Sequence, residues 1–251
     1  MITVTSPQLR ESISSHTPLQ FDSSNSPYLA FPTSSSPFLS SLRLTPPRQS
    51  DASALVSTLN SPLVYKSLRS PPYPYLPHHA TAVIGMGMKA AQALIDQWER
   101  NDWSTPEGCP LNTIRAMRDD GEEVWVGALG VRRWPFDEVV DPVEKEEKVR
   151  EMMARKAEDP EVVWTVGFYI DPTFNGRGVM TQVLRTLIDS YMIPALHATK
   201  IRATVYVGNI ASRRVFEKNG FELVGTAWVN EGESRGGKMR EEWWFEWSRE
   251  T

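Results

Sequence analysis

The stretch from Val162 to Tyr191 constrains this chain most, because its hydrophobic period changes once and two glycines mark the change. Val162, Val163, Trp164, Val166, Phe168, Tyr169 and Ile170 are the β-branched and aromatic residues of a largely buried strand. Asp171-Pro172 stops that strand, and Asn175-Gly176-Arg177-Gly178 follows as a loop. From Val179 the apolar residues fall at Met180, Val183, Leu184, Leu187, Ile188 and Tyr191, one face of a helix that ends at Pro194. A helix start leaves backbone N–H groups without partners and carries a partial positive charge, while glycines admit φ > 0 and a close ligand approach. Strand, glycine loop and helix in this order build an anion site. It is neither of the two best-known phosphate loops. No Lys-Ser or Lys-Thr follows the second glycine, and no third glycine completes a dinucleotide fingerprint.

The 251 residues suffice for one large domain, and composition sets its start. Residues 1–40 are rich in Ser and Pro and poor in aliphatics, so they read as an N-terminal tail whose Phe21, Tyr28, Phe31 and Phe38 are its only docking groups. The folded domain is expected over residues 41–251. A net charge of −4 and a pI near 5.7 supply no global basic field, so neither nucleic acid nor an anionic membrane is expected as a partner. No apolar run approaches the roughly 18–20 residues of a membrane span, and no secretory n- and h-region opens the chain. Cys109 is the only cysteine, which excludes an intrachain disulfide or a thiolate cluster. A reducing, cytoplasmic location is the expectation, as a monomer or homodimer. His78-His79 are adjacent and lack a third ligand at useful spacing, so no metal is expected.

Along the domain, Leu42-Arg43-Leu44 reads as a short strand, and Ser50-Asp51 offers a cap to a helix carrying Ala52, Leu55, Val56 and Leu59. The proline-rich connector 70–77 leads into a second helix, from about Ala80 to Arg100, whose first turns Gly85 and Gly87 weaken. Thr113 to Met117 and Val124 to Val131 flank an Asp-Gly tip and read as a hairpin. Residues 137–161 are densely charged and read as a solvated insertion helix. Ile201, Ala203, Val205 and Val207 alternate with polar residues as a strand, and Asn209 can cap the helix that closes at Asn219-Gly220. A final antiparallel pair, Phe221 to Val229 and Met239 to Ser248, flanks the glycine-rich loop 232–238.

Two of these stretches together resemble one family. The loop and helix start around Asn175 to Met180, followed by NIASRRVFEKNGFELVG over Asn209 to Gly225, are similar to the two signature motifs of the GNAT acetyltransferase superfamily. The second motif resembles its ribosomal-protein-alanine N-acetyltransferase (RimJ/RimL-like) branch. That resemblance implies an α/β fold with a mixed, mostly antiparallel twisted sheet, flanked by helices and splayed at its central strands. It also implies an N-acetyltransferase that moves acetyl from acetyl-CoA to a primary amine, either a small molecule or a protein N-terminus. The pyrophosphate would sit on Asn175, Gly176, Arg177, Gly178, Val179 and Met180, and the pantetheine arm along Phe168, Tyr169 and Ile170. Asn209, Ser212 and Phe216 would complete the cofactor groove.

By the same resemblance Ser212 is the proton donor to the departing thiolate and Glu231 the base. Three positions depart from the pattern: Asn175 replaces a long polar side chain, Met180 a small one, and Phe216 the usual tyrosine. Because Phe216 cannot donate a proton, a catalytically weakened CoA-binding regulatory or interaction module is the alternative. Tyr73, Tyr75 and Trp228 are expected at the substrate mouth.

Overall fold

The computed structural model describes residues 2–34, 36–100, 102–232 and 235–249. Its strands are β1 (Gln20–Phe21), β2 (Pro27–Ala30), β3 (Leu42–Thr45), β4 (Thr113–Met117), β5 (Glu123–Arg133), β6 (Val163–Ile170), β7 (Lys200–Tyr206), β8 (Glu222–Asn230) and β9 (Met239–Ser248). Among the described residues they form one sheet in the order β1-β2-β3-β4-β5-β6-β7-β9-β8. Every neighbouring pair is antiparallel except β6 and β7. The helices are α1 (Pro7–His16), α2 (Pro37–Ser40), α3 (Ala52–Asn60), α4 (Pro62–Tyr65), α5 (Pro77–Glu99), α6 (Pro142–Ala154), α7 (Val179–Leu187), α8 (Ile193–Leu196) and α9 (Ile210–Glu217).

The single parallel pair positions everything that follows. β6 and β7 pair only at Val163 with Lys200, Trp164 with Ile201 and Thr165 with Arg202. Beyond those rungs each strand keeps its outer partner, β5 for β6 and β9 for β7, and the two inner edges separate. Trp164 and Ile201 are fully buried at the closed end, and the stripe of α7 (Val179, Val183, Leu184, Leu187) packs in the same core. The helical run does not stop where the proline suggests: Ile188–Met192 form a π turn, which leaves Pro194 in the first turn of α8. The ring fixes φ near the helical value, so a proline fits a position where the hydrogen-bond pattern already changes from π to α.

The Asp51 carboxylate does not cap α3. It accepts from the Arg48 N–H (2.7 Å) and from the Arg115 guanidinium (2.9 and 2.8 Å), tying the start of α3 to the sheet at β4 through a buried ion pair. Gly87 does not weaken the start of α5 so much as allow its approach to the sheet. A Cβ there would lie 2.8 Å from both Pro47 and Asn112. The charged insertion is α6, capped by Asp141 (2.9 Å to Val143 and Glu144 N–H) with Met152 its buried residue. Arg133 fastens it by donating to the Met152 and Arg155 carbonyls.

The expected tail is the main correction. Residues 2–34 add β1 and β2 to the sheet edge at β3, and they include α1, whose start the Ser6 hydroxyl caps by accepting from Leu9 N–H. Ile2, Val4, Ile13, Leu19, Leu29 and Phe31 are all buried in the central core. Average composition does not show this, because the aliphatics are few but nearly all are buried, and β3 offers an open edge whose backbone groups need pairing. Fully burying one such side chain contributes about 1.5–3 kcal/mol. Deleting residues 2–34 should therefore lower Tm by more than about 10 °C or leave the chain insoluble. An unchanged Tm on calorimetry would show that the segment does not pack.

Candidate functional site

The glycine loop has the geometry that its sequence requires. Gly176 and Gly178 adopt φ of +74° and +77°, and Gly178 stands as the left-handed cap before α7. The N–H groups of Gly176, Arg177 and Gly178 donate to no acceptor among the described residues, and the first N–H groups of α7 point the same way by helix geometry. Met180 is buried in the core stripe and also lines the space beside the loop. The Asp171 carboxylate starts the loop by accepting from Thr173 N–H (2.8 Å). Phe174 stacks on Phe38 at 5.7 Å, and Arg177 lies 5.8 Å from each ring, so the N-terminal segment supports the loop from outside.

Two cavities open where β6 and β7 part. The first, ≈ 480 Å³, runs from Asn175, Gly176 and Gly178 past the freed edge of Phe168, Tyr169 and Ile170 to α9. The second, ≈ 300 Å³, lies toward Arg69, Arg132, Thr204, Tyr206 and Glu242. Phe168, Asn209 and Ser212 line both, which makes them the junction. There Asn209 Oδ1 accepts from Ser212 N–H at 3.2 Å, the cap that starts α9. Phe216, one turn on, is buried among Phe168, Phe221 and Phe245 with ring centroids 5.1–5.7 Å apart. An aromatic cluster fills the place where a hydroxyl was sought.

The structure thus gathers the loop, Phe168 to Ile170, Asn209, Ser212 and Phe216 around one gap. It does not bring Glu231 there. Glu231 pairs with Arg240 at 2.9 Å and lines a neighbouring cavity with Asp137 and Lys145. Of the expected mouth residues, Tyr75 is buried in the core of α3 and α5, Trp228 is exposed on β8, and Tyr73 stacks on Tyr65 at 4.0 Å. Ser67 to Ser70 form the rim instead, braced by Arg235, which donates to the Pro71 carbonyl at 2.7 Å. Sequence reading missed Glu242. It looks like one more charge in an aromatic strand, and only its register opposite Tyr206 brings it to the cavity.

Comparison with known proteins decides the family. The model of the acetyltransferase (GNAT) domain matches residues 41–222. The chain belongs to the GNAT acetyltransferase family. Over 65 residues this GNAT protein is 38% identical to a probable N-acetyltransferase, YjcK, of Bacillus subtilis (strain 168). That match covers 26% of the chain and 35% of the relative, about a third of the relative's length. The microcin C7 self-immunity acetyltransferase MccE, solved with acetyl-CoA and AMP, superposes with a TM-score of 0.52 at 16% identity over 83% of this chain and 93% of its own. RimL, the ribosomal L7/L12 α-N-protein acetyltransferase, superposes with a TM-score of 0.51 at 16% identity over 88% and 95%. At such identities the likeness is one of fold, a mixed α/β sheet with one parallel pair. Among the described residues, no helix is long and apolar enough to cross a membrane.

The loop geometry makes its own prediction. A side chain at φ +77° costs about 1–2 kcal/mol. Gly178→Ala should therefore lower Tm by roughly 2–8 °C with the fold intact. An equally stable variant would show that the left-handed cap is not required.

Proposed function

We propose that this GNAT protein is an N-acetyltransferase that uses acetyl-CoA and a primary amine. The junction of the two cavities at Phe168, Asn209 and Ser212 carries this reading. One cavity ends in an anion cradle of unpartnered backbone N–H groups, the other in buried polar side chains, and the two meet across an unpaired strand edge. Acetyl-CoA supplies the acyl group as a thioester.

The chain's own groups supply the rest. The N–H groups of Gly176 to Met180 hold the pyrophosphate, favoured by the start of α7. The inner edge of Phe168 to Ile170, unpaired on the side of β7, receives the pantetheine arm as an extra strand. An N–H on that edge polarises the thioester carbonyl. Ser212, held at the junction by the Asn209 cap, gives its proton to the sulfur, since the Phe216 ring cannot. The acceptor is a small amine or a protein N-terminus. The buried phenyl ring at Phe216 favours one other reading, a CoA-binding module without turnover, and an assay separates the two.

Acetyl-CoA should raise the Tm of the purified protein by mass action, and Gly178→Asp should abolish the rise by putting a negative charge beside the pyrophosphate. A folded Gly178→Asp protein with an undiminished rise would remove the cradle assignment. Released thiol, followed with acetyl-CoA and a panel of amines, should report turnover. Ser212→Ala should lower kcat by about 10²- to 10⁴-fold, as for loss of a general acid, with little change in KM for acetyl-CoA. A loss below tenfold would retire Ser212 as the donor.

A further inference from the structure

Two residues that line the ≈ 300 Å³ cavity, Glu242 and Tyr206, each carry a buried polar atom without a hydrogen-bond partner among the described residues, Glu242 Oε2 and Tyr206 Oη. Their residues are 4% and 3% exposed. Glu242 on β9 is the register partner of Tyr206 on β7, so the two side chains stand side by side on one face of the sheet. A buried carboxylate oxygen and a buried phenol without a hydrogen bond each carry a desolvation cost, which a ligand offering N–H donors would remove. The surrounding charges leave that role open. Arg69, the nearby cation, stands 3.7 Å from Glu242 Oε2 and is engaged by Asp137 of the insertion segment. Arg240, on the same strand, lies over the Tyr206 ring at 3.7 Å and pairs with Glu231. Arg132 lines the cavity rim. Glu231 is thus matched by a cation outside the cavity, whereas Glu242 is inside it with an unused oxygen.

Resting on the N-acetyltransferase reading, we propose that Glu242 and Tyr206 hold the acceptor nitrogen and that Glu242 takes its proton, so that the substrate class is alkylammonium, a peptide α-ammonium or an aliphatic amine. The ammonium passes one proton to the Glu242 carboxylate, and the freed lone pair attacks the acetyl carbon. The C–N bond forms and the C–S bond breaks. The nitrogen's second surplus proton passes through Ser212 to the sulfur, and Glu242 later releases its proton to solvent. The sum is ammonium plus thioester giving amide, thiol and one proton. Tyr206 accepts a hydrogen bond from the nitrogen. Burial, aided by Glu242 and Glu231, pushes its hydroxyl up to about 12 against the pull of Arg240 and Arg69, so it stays protonated under ordinary assay conditions.

The pH dependence has a definite sign. Burial raises the Glu242 pKa above the ordinary glutamate range, with Asp137 acting in the same sense, while Arg69, a Thr204 hydrogen bond and Arg240 oppose it. A base must be ionised, so kcat/KM falls as pH drops through this raised value, tenfold per unit. The test uses the purified full chain with acetyl-CoA and three acceptors, an alanyl tripeptide, n-butylamine and aniline. The first two should exceed aniline, whose nitrogen is neutral and gives Glu242 no ammonium to hold. Glu242→Gln should lower kcat/KM for the amine by about 10²- to 10⁴-fold and remove the acidic limb, while the acetyl-CoA-dependent rise in Tm persists.

An active wild type with Glu242→Gln within tenfold and its limb intact would overturn the assignment alone, as would aniline being the preferred acceptor. A wild type that acetylates none of the three overturns the N-acetyltransferase reading and this assignment with it. Should Glu242→Gln not fold, Glu231→Gln decides: survival of the acidic limb supports Glu242, and its loss reassigns the base to Glu231.

Discussion

The structure depends on the separation of β6 from β7. The two strands share three rungs of parallel pairing, then each follows its outer antiparallel partner. Unpaired backbone polar groups inside a protein are costly, so a gap at the centre of a sheet persists only where solvent or a ligand reaches it. Here both cavities reach it, one from the side of the glycine loop and one from the side of β9. At the closed end Trp164 and Ile201 are register partners and fully buried, and the opening begins beyond them.

Around this gap the chain places charge by kind. Backbone N–H groups of the loop and of α7 face the longer cavity, where a fixed positive end needs no side chain and no titration. Side-chain acids and bases gather on the other side, where Arg69 joins Asp137 and Glu242 in one set of ion pairs and Arg240 pairs with Glu231 in another. Such ion pairs hold their members in place, and a buried group left with an unused atom carries the cost of its desolvation. The insertion bearing α6 belongs to the first set through Asp137 and Lys145, so its attachment by Arg133 bears on the site as well as on the fold.

Legibility followed the range of the interactions. The loop, the start of α7, the Asn209 cap and the β4–β5 hairpin rest on residues within a few positions of one another, and all were readable from spacing. Asp51 was read as a local cap and is instead the partner of Arg115, far along the chain. The segment 2–34 was misread for the same reason, since its value lies in an edge supplied by β3. Glu231 was carried over by resemblance of spacing, and Glu242 was overlooked because strand register, which spacing alone does not reveal, sets what an acid in a strand faces.

Sequence alone therefore determined that this chain makes a strand, a left-handed glycine turn and a helix whose start can hold an anion, and that a second capped helix follows. Those features are local, set by φ preference, hydrophobic period and side-chain reach. Only the tertiary structure decided how far β6 and β7 stay together, which acid enters the gap, and that the N-terminal residues complete the core. Each of these is a competition between distant partners for the same backbone edge, the same cation or the same apolar surface, and such a competition is settled only when all the partners are in place.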